Sequence, residues 1–220
     1  MNFKLLALPL AAAALCLSTG AKAATVYDTT VVSSITNLFG FGTTYDNFAL
    51  TLVGDVELAL RARYRVRPTE ASDGAGHYGP FDAGTQTAAF GSPARDDRAE
   101  WSYDFYIREA GAPSGNTFSL CANGDCVNAL SFADNNGNLN DGLGNSLQLL
   151  FANSPGHTGY DVWAPGTYTF SLSVSDANGV LLGSTVITAA VVAVPEPETY
   201  ALMLGGLAAL GFMARRRKLG

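Results

Sequence analysis

Between residues 56 and 67, apolar and polar side chains alternate almost without a break. Val56, Leu58, Leu60, Ala62, Tyr64 and Val66 take one set of positions, and Glu57, Ala59, Arg61, Arg63, Arg65 and Arg67 take the other. A period of two belongs to a strand with one buried face, and here it puts four arginines on the opposite face. Trp101, Tyr103, Phe105 and Ile107 alternate with Ser102, Asp104, Tyr106 and Arg108 in the same way. So do Tyr168, Phe170, Leu172 and Val174 with Thr167, Thr169, Ser171 and Ser173. Asp176-Ala177-Asn178-Gly179 then supplies a turn, with Gly at the left-handed position, and residues 180–194 return as the closing strand.

Shorter runs at 25–33, 47–53, 116–122, 126–132 and 147–151 read as further strands. Residues 68–98 carry many Gly, Ala, Ser and Asp and predict a long surface loop, with room for a short strand near 86–90. A second Gly-rich loop covers 135–145. No amphipathic helix and no internal repeat interrupts this pattern. The expected fold is all-β, an antiparallel β-sandwich of about eight or nine strands.

The two ends of the chain follow another pattern. Met1-Asn2-Phe3-Lys4 is a short positive start, residues 5–17 are nearly all apolar, and Ala21-Lys22-Ala23 is a small-x-small cleavage site. Residues 1–23 therefore read as a signal peptide helix cut between Ala23 and Ala24. Cys16 leaves with it. At the other end, Pro195-Glu196-Pro197 begins a stiff, non-helical segment. An apolar stretch at 199–214 and a basic cluster at 215–218 follow. Sixteen residues make about 24 Å of helix, short of a ~30 Å hydrocarbon core, but Tyr200 and the arginines can occupy the interfaces. The stretch is expected to form a C-terminal transmembrane helix. Its basic end stays cytoplasmic, and the domain before it lies on the periplasmic side. Ala201, Gly205 and Ala209 give that helix one small-residue face.

Pro195-Glu196-Pro197, the short Gly-rich apolar helix and the terminal Arg/Lys cluster together resemble the PEP-CTERM sorting domain of Gram-negative bacteria. The same tail is also named the ice-binding protein C-terminal domain, a label that says nothing about the domain in front of it. The resemblance covers residues 194–219 of a tail that runs from 194 to 220. It implies processing near Pro195, Glu196 and Pro197 by exosortase, a membrane protease-transpeptidase. It also implies release or transfer to the cell surface, often in bacteria that make exopolysaccharide.

Between the two ends, residues 24–193 form the exported domain. It carries seven Arg and no Lys against 17 Asp plus Glu, which makes it ten charges negative. Phosphate backbones require a basic surface, so this balance excludes nucleic acid as a partner.

Few residues in the domain are placed for chemistry. Cys121 and Cys126 flank Ala122-Asn123-Gly124-Asp125, and Asn-Gly is the strongest two-residue hairpin signal. With Asn123-Gly124 at the tip, the cysteines face each other in a non-hydrogen-bonded pair, close enough for a disulfide in an oxidising compartment. Arg61, Arg63, Arg65 and Arg67 stand about 6.6 Å apart on one strand face. They can grip an acidic polysaccharide through paired hydrogen bonds, or pair across the sheet with carboxylates such as Asp104 or Glu57.

Asp134 begins a stretch with oxygen side chains at alternate positions, like a calcium loop. Leu139 and Asn145 stand where an EF-hand needs Gly and a bidentate Glu, so it reads as a polar turn, and no metal or other cofactor is expected. Nucleophile-elbow, His-Glu-x-x-His and phosphate-loop patterns are absent, and His77 and His157 have no spaced partners. A carboxylate pair such as Asp104 with Glu100 or Glu109 can in principle cut glycosides, and nothing singles these out from the other acidic residues. Trp101 and Trp163 can stack on sugars or fill a core.

The sequence reading is thus a non-enzymatic structural or adhesive protein of the cell surface or exopolysaccharide matrix, tethered to the cytoplasmic membrane before exosortase acts. A carbohydrate-binding module for acidic polysaccharide is the alternative, and a secreted hydrolase the third.

Overall fold

The structure is a computed structural model of the 220-residue chain. It describes residues 23–31, 38–39, 45–65, 67, 71–88, 93–111, 114–132, 139–194, 202–208, 210 and 213. The signal peptide before Ala23, the Pro195-Glu196-Pro197 motif and the basic cluster lie outside the described residues.

In chain order the strands are β1 (Thr25–Thr29), β2 (Leu38–Phe39), β3 (Phe48–Val53), β4 (Val56–Tyr64), β5 (His77–Asp82), β6 (Thr85–Gln86) and β7 (Arg95–Ala99). They continue with β8 (Trp101–Glu109), β9 (Thr117–Ala122), β10 (Asp125–Asn128), β11 (Leu143–Leu147), β12 (Gly166–Ser175) and β13 (Leu181–Val192). One sheet has the order β1-β3-β4-β8-β11-β2, the second the order β10-β9-β12-β13-β5, and β6 pairs with β7 alone.

The sandwich forms because period-two runs bury one face of each sheet against the other. Leu58, Leu60, Tyr103 and Phe105 from the first sheet meet Leu120, Phe170, Leu172 and Ile187 from the second in one core. A polar link crosses that core, where Thr185 donates to the Leu58 carbonyl (3.0 Å) and its hydroxyl meets that of Thr51 (2.8 Å). The turn at 176–179 forms as read. Gly179 has φ +81°, and Asp176 Oδ1 accepts from the amides of Asn178 and Val180.

Four expectations are corrected. Two edge pairs, β11 with β2 and β13 with β5, are parallel, so the sandwich is not wholly antiparallel. The segment read as one long loop contains β5, β6 and β7. The strand read at 147–151 is instead 143–147, with turns following it, and the run at 126–132 leaves the sheet after Asn128 as the 3-10 turn Ala129–Phe132. Apart from these corrections, no helix among the described residues is long and apolar enough to cross a membrane. Residues 202–208, 210 and 213 are helical and exposed, but they do not by themselves support the transmembrane helix expected at 199–214.

The outer face of β4 also departs from the one-buried-face pattern. Val31, Phe48, Ala59 and Tyr106, with Tyr45 and Leu50 against them, form a second small apolar cluster there. β4 and β8, at the middle of their sheet, are consequently buried on both faces.

Candidate functional site

The arginine row begins on β4, and the β4–β8 ladder sets its partners. Arg61 lies opposite Asp104, and Arg63 opposite Ser102. Arg61 donates to Asp104 Oδ2 from Nε (2.8 Å) and Nη2 (2.6 Å), and from Nη1 to the Asp46 carbonyl (2.7 Å). Its guanidinium lies 4.4 Å from the centre of the Phe48 ring. Arg63 Nε reaches the same Oδ2 at 2.7 Å, while Nη1 donates to the carbonyls of Tyr64 and Arg65 and Nη2 to Ser146 Oγ. Arg65 Nε donates to Gln86 Oε1 (3.3 Å). Arg61, Arg63 and Asp104 are each no more than 1 % exposed.

The electrostatics follow from that burial. Desolvation alone would raise the Asp104 pKa, but Arg63 and Arg61 outweigh it and hold the carboxyl below its ordinary range. The Arg65 pKa is also lowered, but here that disfavours the charged form: burial first, then the neighbouring Arg98 and Arg63, bring it down to about 10.

Only Arg67 of the four reaches solvent. It donates to Glu100 Oε1 (2.9 Å) and Asp82 Oδ2 (3.3 Å), with its guanidinium over the Tyr64 ring. The four residues therefore do not make an exposed cationic row. Of the two partners read from sequence, Asp104 takes Arg61 and Arg63, and Glu57 takes Arg108 at 2.8 Å. Gln86 and Ser146, which complete the network, carried no sequence signal because they lie 21 and 83 residues from the arginines they meet.

The other carboxylates weighed for glycoside cleavage are also engaged. Glu100 is 2 % exposed and accepts from the Thr87 amide and hydroxyl as well as from Arg67. Glu109 accepts from Ser114 Oγ and from Asn116 Nδ2. His77 Nδ1 lies 2.6 Å from Thr188 Oγ1, and His157 Nδ1 donates to the Leu149 carbonyl. Among the described residues no group of three or more His, Cys, Asp or Glu side chains is placed to hold a metal ion. The first five residues of the calcium-like stretch, 134–138, lie outside the described residues. Its Asn140 clamps Gly111, accepting from the amide and donating to the carbonyl.

The hairpin argument holds in detail. Asn123 and Gly124 have φ of 50° and 87°, Cys121 faces Cys126 across β9 and β10, and the two are joined by a disulfide. The bridge lies on the outer face of the second sheet, where Cys126 is exposed. Converting both cysteines to serine is expected to lower stability by on the order of 2 kcal/mol, because the loop closed is short. Urea unfolding with and without reductant reads this directly. Identical midpoints would show that the bridge does not form in the exported protein.

Two clefts open at the ends of the strands. One, of about 380 Å³, is lined by Asn123, Asp125, Tyr160, Asp161 and Tyr168. The other, of about 420 Å³, is lined by Arg67, Asp82, Gly84, Glu100, Trp163 and Val194. Gly84 has φ +125°, and a Cβ there would sit 2.7 Å from the Trp163 ring, so only glycine lets the ring lie so close. Of the two tryptophans, Trp101 is core at 2 % exposure and Trp163 is 63 % exposed.

Ala24 is exposed and sits one residue before β1. β13 ends at Val192, so only Ala193 and Val194 separate the last strand from the Pro-Glu-Pro stretch. Comparison with known proteins bears on this end of the chain. Residues 193–218 match the family profile of the PEP-CTERM protein-sorting motif. No curated protein and no solved structure matches the chain. The motif marks the chain as an exported protein targeted by exosortase, with a membrane-anchored precursor.

Proposed function

We propose that the domain is a non-enzymatic structural or adhesive element of the cell surface or exopolysaccharide matrix, delivered there when exosortase processes the tail. The observation that carries this reading is the sorting motif that follows directly on the last strand of a stapled sandwich. The use of the domain's charges supports it. Arg61, Arg63 and Asp104 hold one another inside the fold, where their role is to fix strand pairing. The outer face of the second sheet is rich in hydroxyls, with Ser119, Thr169, Ser171, Ser173, Ser184 and Thr188 in register across β9, β12 and β13. An uncharged face of this kind suits many weak contacts with a hydrated polymer.

The test is a host that has exosortase and makes exopolysaccharide. The wild-type chain is expected there as a shortened form in the surface or matrix fraction. Replacing Pro195-Glu196-Pro197 is expected to leave a full-length, membrane-bound precursor. Unchanged release from that variant would sink the processing claim. Wild-type protein found wholly free in the medium would sink the structural role.

A carbohydrate-binding module remains the second reading, and the cleft with Tyr160 and Tyr168 is what favours it. Two rings at 5.6 Å between centres, beside Asp125 and Asp161, offer stacking and hydrogen bonding together. That chemistry fits a neutral sugar better than an acidic one. Salt-independent retention on a neutral polysaccharide would favour it over the structural role.

A further inference from the structure

We infer that the Trp163 end of the sandwich is a membrane-contact surface, and that the exposed indole lies against the lipid headgroups while the precursor is still anchored. The inference rests on the membrane-anchored precursor that the sorting motif indicates.

Three observations carry it. The first is tether length. Val194 lines the same cleft as Trp163, and only seven residues, 195–201, separate it from Leu202, where the described helical residues begin. Seven residues span at most about 25 Å even when fully extended. A domain held that closely must present the end from which its tail leaves, and that end contains Trp163.

The second is the fixed position of the indole. Ala83 donates to the Val192 carbonyl (2.8 Å), and Gly84 donates to the Val162 carbonyl (2.7 Å). The Trp163 loop is thereby tied to the end of β13, and Gly84 leaves just enough room for the ring edge. An exposed tryptophan on a braced loop has a place to go at a membrane–water interface, where its apolar ring and polar N–H are both accommodated.

The third is charge. The domain is strongly acidic, yet Arg65, Arg67, Arg95 and Arg98, four of its seven arginines, lie on the segments around this end. Arg67 pairs with Asp82 and Glu100, and Arg95 with Asp97. Local pairing leaves this end far closer to neutral than the domain as a whole, which lowers its repulsion from anionic lipid.

The chain has two tryptophans, and the other is buried, so fluorescence isolates the residue in question. The uncut full chain is reconstituted into vesicles of phosphatidylethanolamine and phosphatidylglycerol, with and without lipid carrying a doxyl quencher near the headgroup. Wild-type emission is expected to be quenched at least about twofold more than that of Trp163→Phe, because interfacial aromatics sit at headgroup depth. Trp101 stays unquenched in both and reports that the variant has folded. A variant with a long Gly/Ser spacer inserted after Val194 is expected to lose most of the quenching.

Flotation with the vesicles reads anchoring separately. A chain that fails to float overturns the anchored precursor and this inference with it. A chain that floats with equal emission in both vesicle types overturns this inference alone. Persistent quenching in the spacer variant overturns the tether as its cause. Shielding of Trp163 by soluble polysaccharide without lipid quenching assigns the indole to a sugar instead.

Discussion

Replacing Asp104 with asparagine is expected to destabilise the domain by about 3–5 kcal/mol, the range for breaking a buried ion pair by removing one partner. The substitution keeps shape and volume, so packing is not the cause. What changes is charge: one carboxylate oxygen receives three N–H groups from Arg61 and Arg63, and all three side chains are sealed from water. With a neutral amide, two guanidinium ions stay buried near Arg65, and the charge left beside them is the half-exposed Asp46 carboxylate, 3.4 Å from Arg61. Against a total of roughly 5–15 kcal/mol for a typical domain, that loss is large.

The same group predicts a pH dependence. The folded pKa of Asp104 lies below the ordinary aspartate value of 3.8. Its contribution is therefore complete above that value and is lost as the pH falls through the lowered folded pKa. Urea midpoints measured from pH 7 down to strongly acidic buffer should fall more steeply below about pH 4 for the wild type than for Asp104→Asn. Parallel curves, or a variant within about 0.5 kcal/mol of wild type at pH 7, would show that the network does not stabilise the fold.

Truncating Trp101 to alanine is the second large effect, expected at about 3–5 kcal/mol for a buried aromatic. Its ring lies 5.6 Å from that of Phe81 with the planes 9° apart, and it also contacts Tyr168 and Phe170. These partners come from the opposite sheet, and Phe81 belongs to β5, the parallel edge strand. The cavity left in Trp101→Ala would thus remove the ring on which β5 docks. Hydrogen exchange should quicken in β5 before it does in β12, which is paired on both sides. Trp101→Phe, which keeps an aromatic surface there, should recover a good part of the loss. A cost below about 1 kcal/mol for the alanine variant would mean that the two sheets do not meet through this ring.

How legible each part was depends on where its partners lie in the chain. β4, β8 and β12 were visible because alternation is local and repeats over many residues. The Asn123-Gly124 hairpin and its disulfide were visible for a stronger reason. A two-residue turn sets the register of the strands it joins, so the pairing of Cys121 with Cys126 follows from spacing alone. β5 was not visible. Its run His77-Tyr78-Gly79-Pro80-Phe81-Asp82 has no regular alternation, and it is a strand because the far edge of β13, more than a hundred residues away, accepts it.

The arginines show the same division. Period two placed Arg61, Arg63 and Asp104 on outer faces, but a pattern of faces does not say what covers them. Phe48 and Val31 bury that face, and the β4–β8 register turns the charges into a closed network. By itself the amino-acid sequence determined the address, through the Pro-Glu-Pro motif, apolar stretch and basic cluster, and determined the strand-rich class through its alternation. Both are carried by short-range order that needs no partner. Tertiary structure alone decided that the arginine row is internal, that the predicted loop supplies an edge strand, and that Trp163 stands beside the exit of the tail. Each of those depends on contacts between residues far apart in the chain, whose energy exists only once the two sheets have closed on each other.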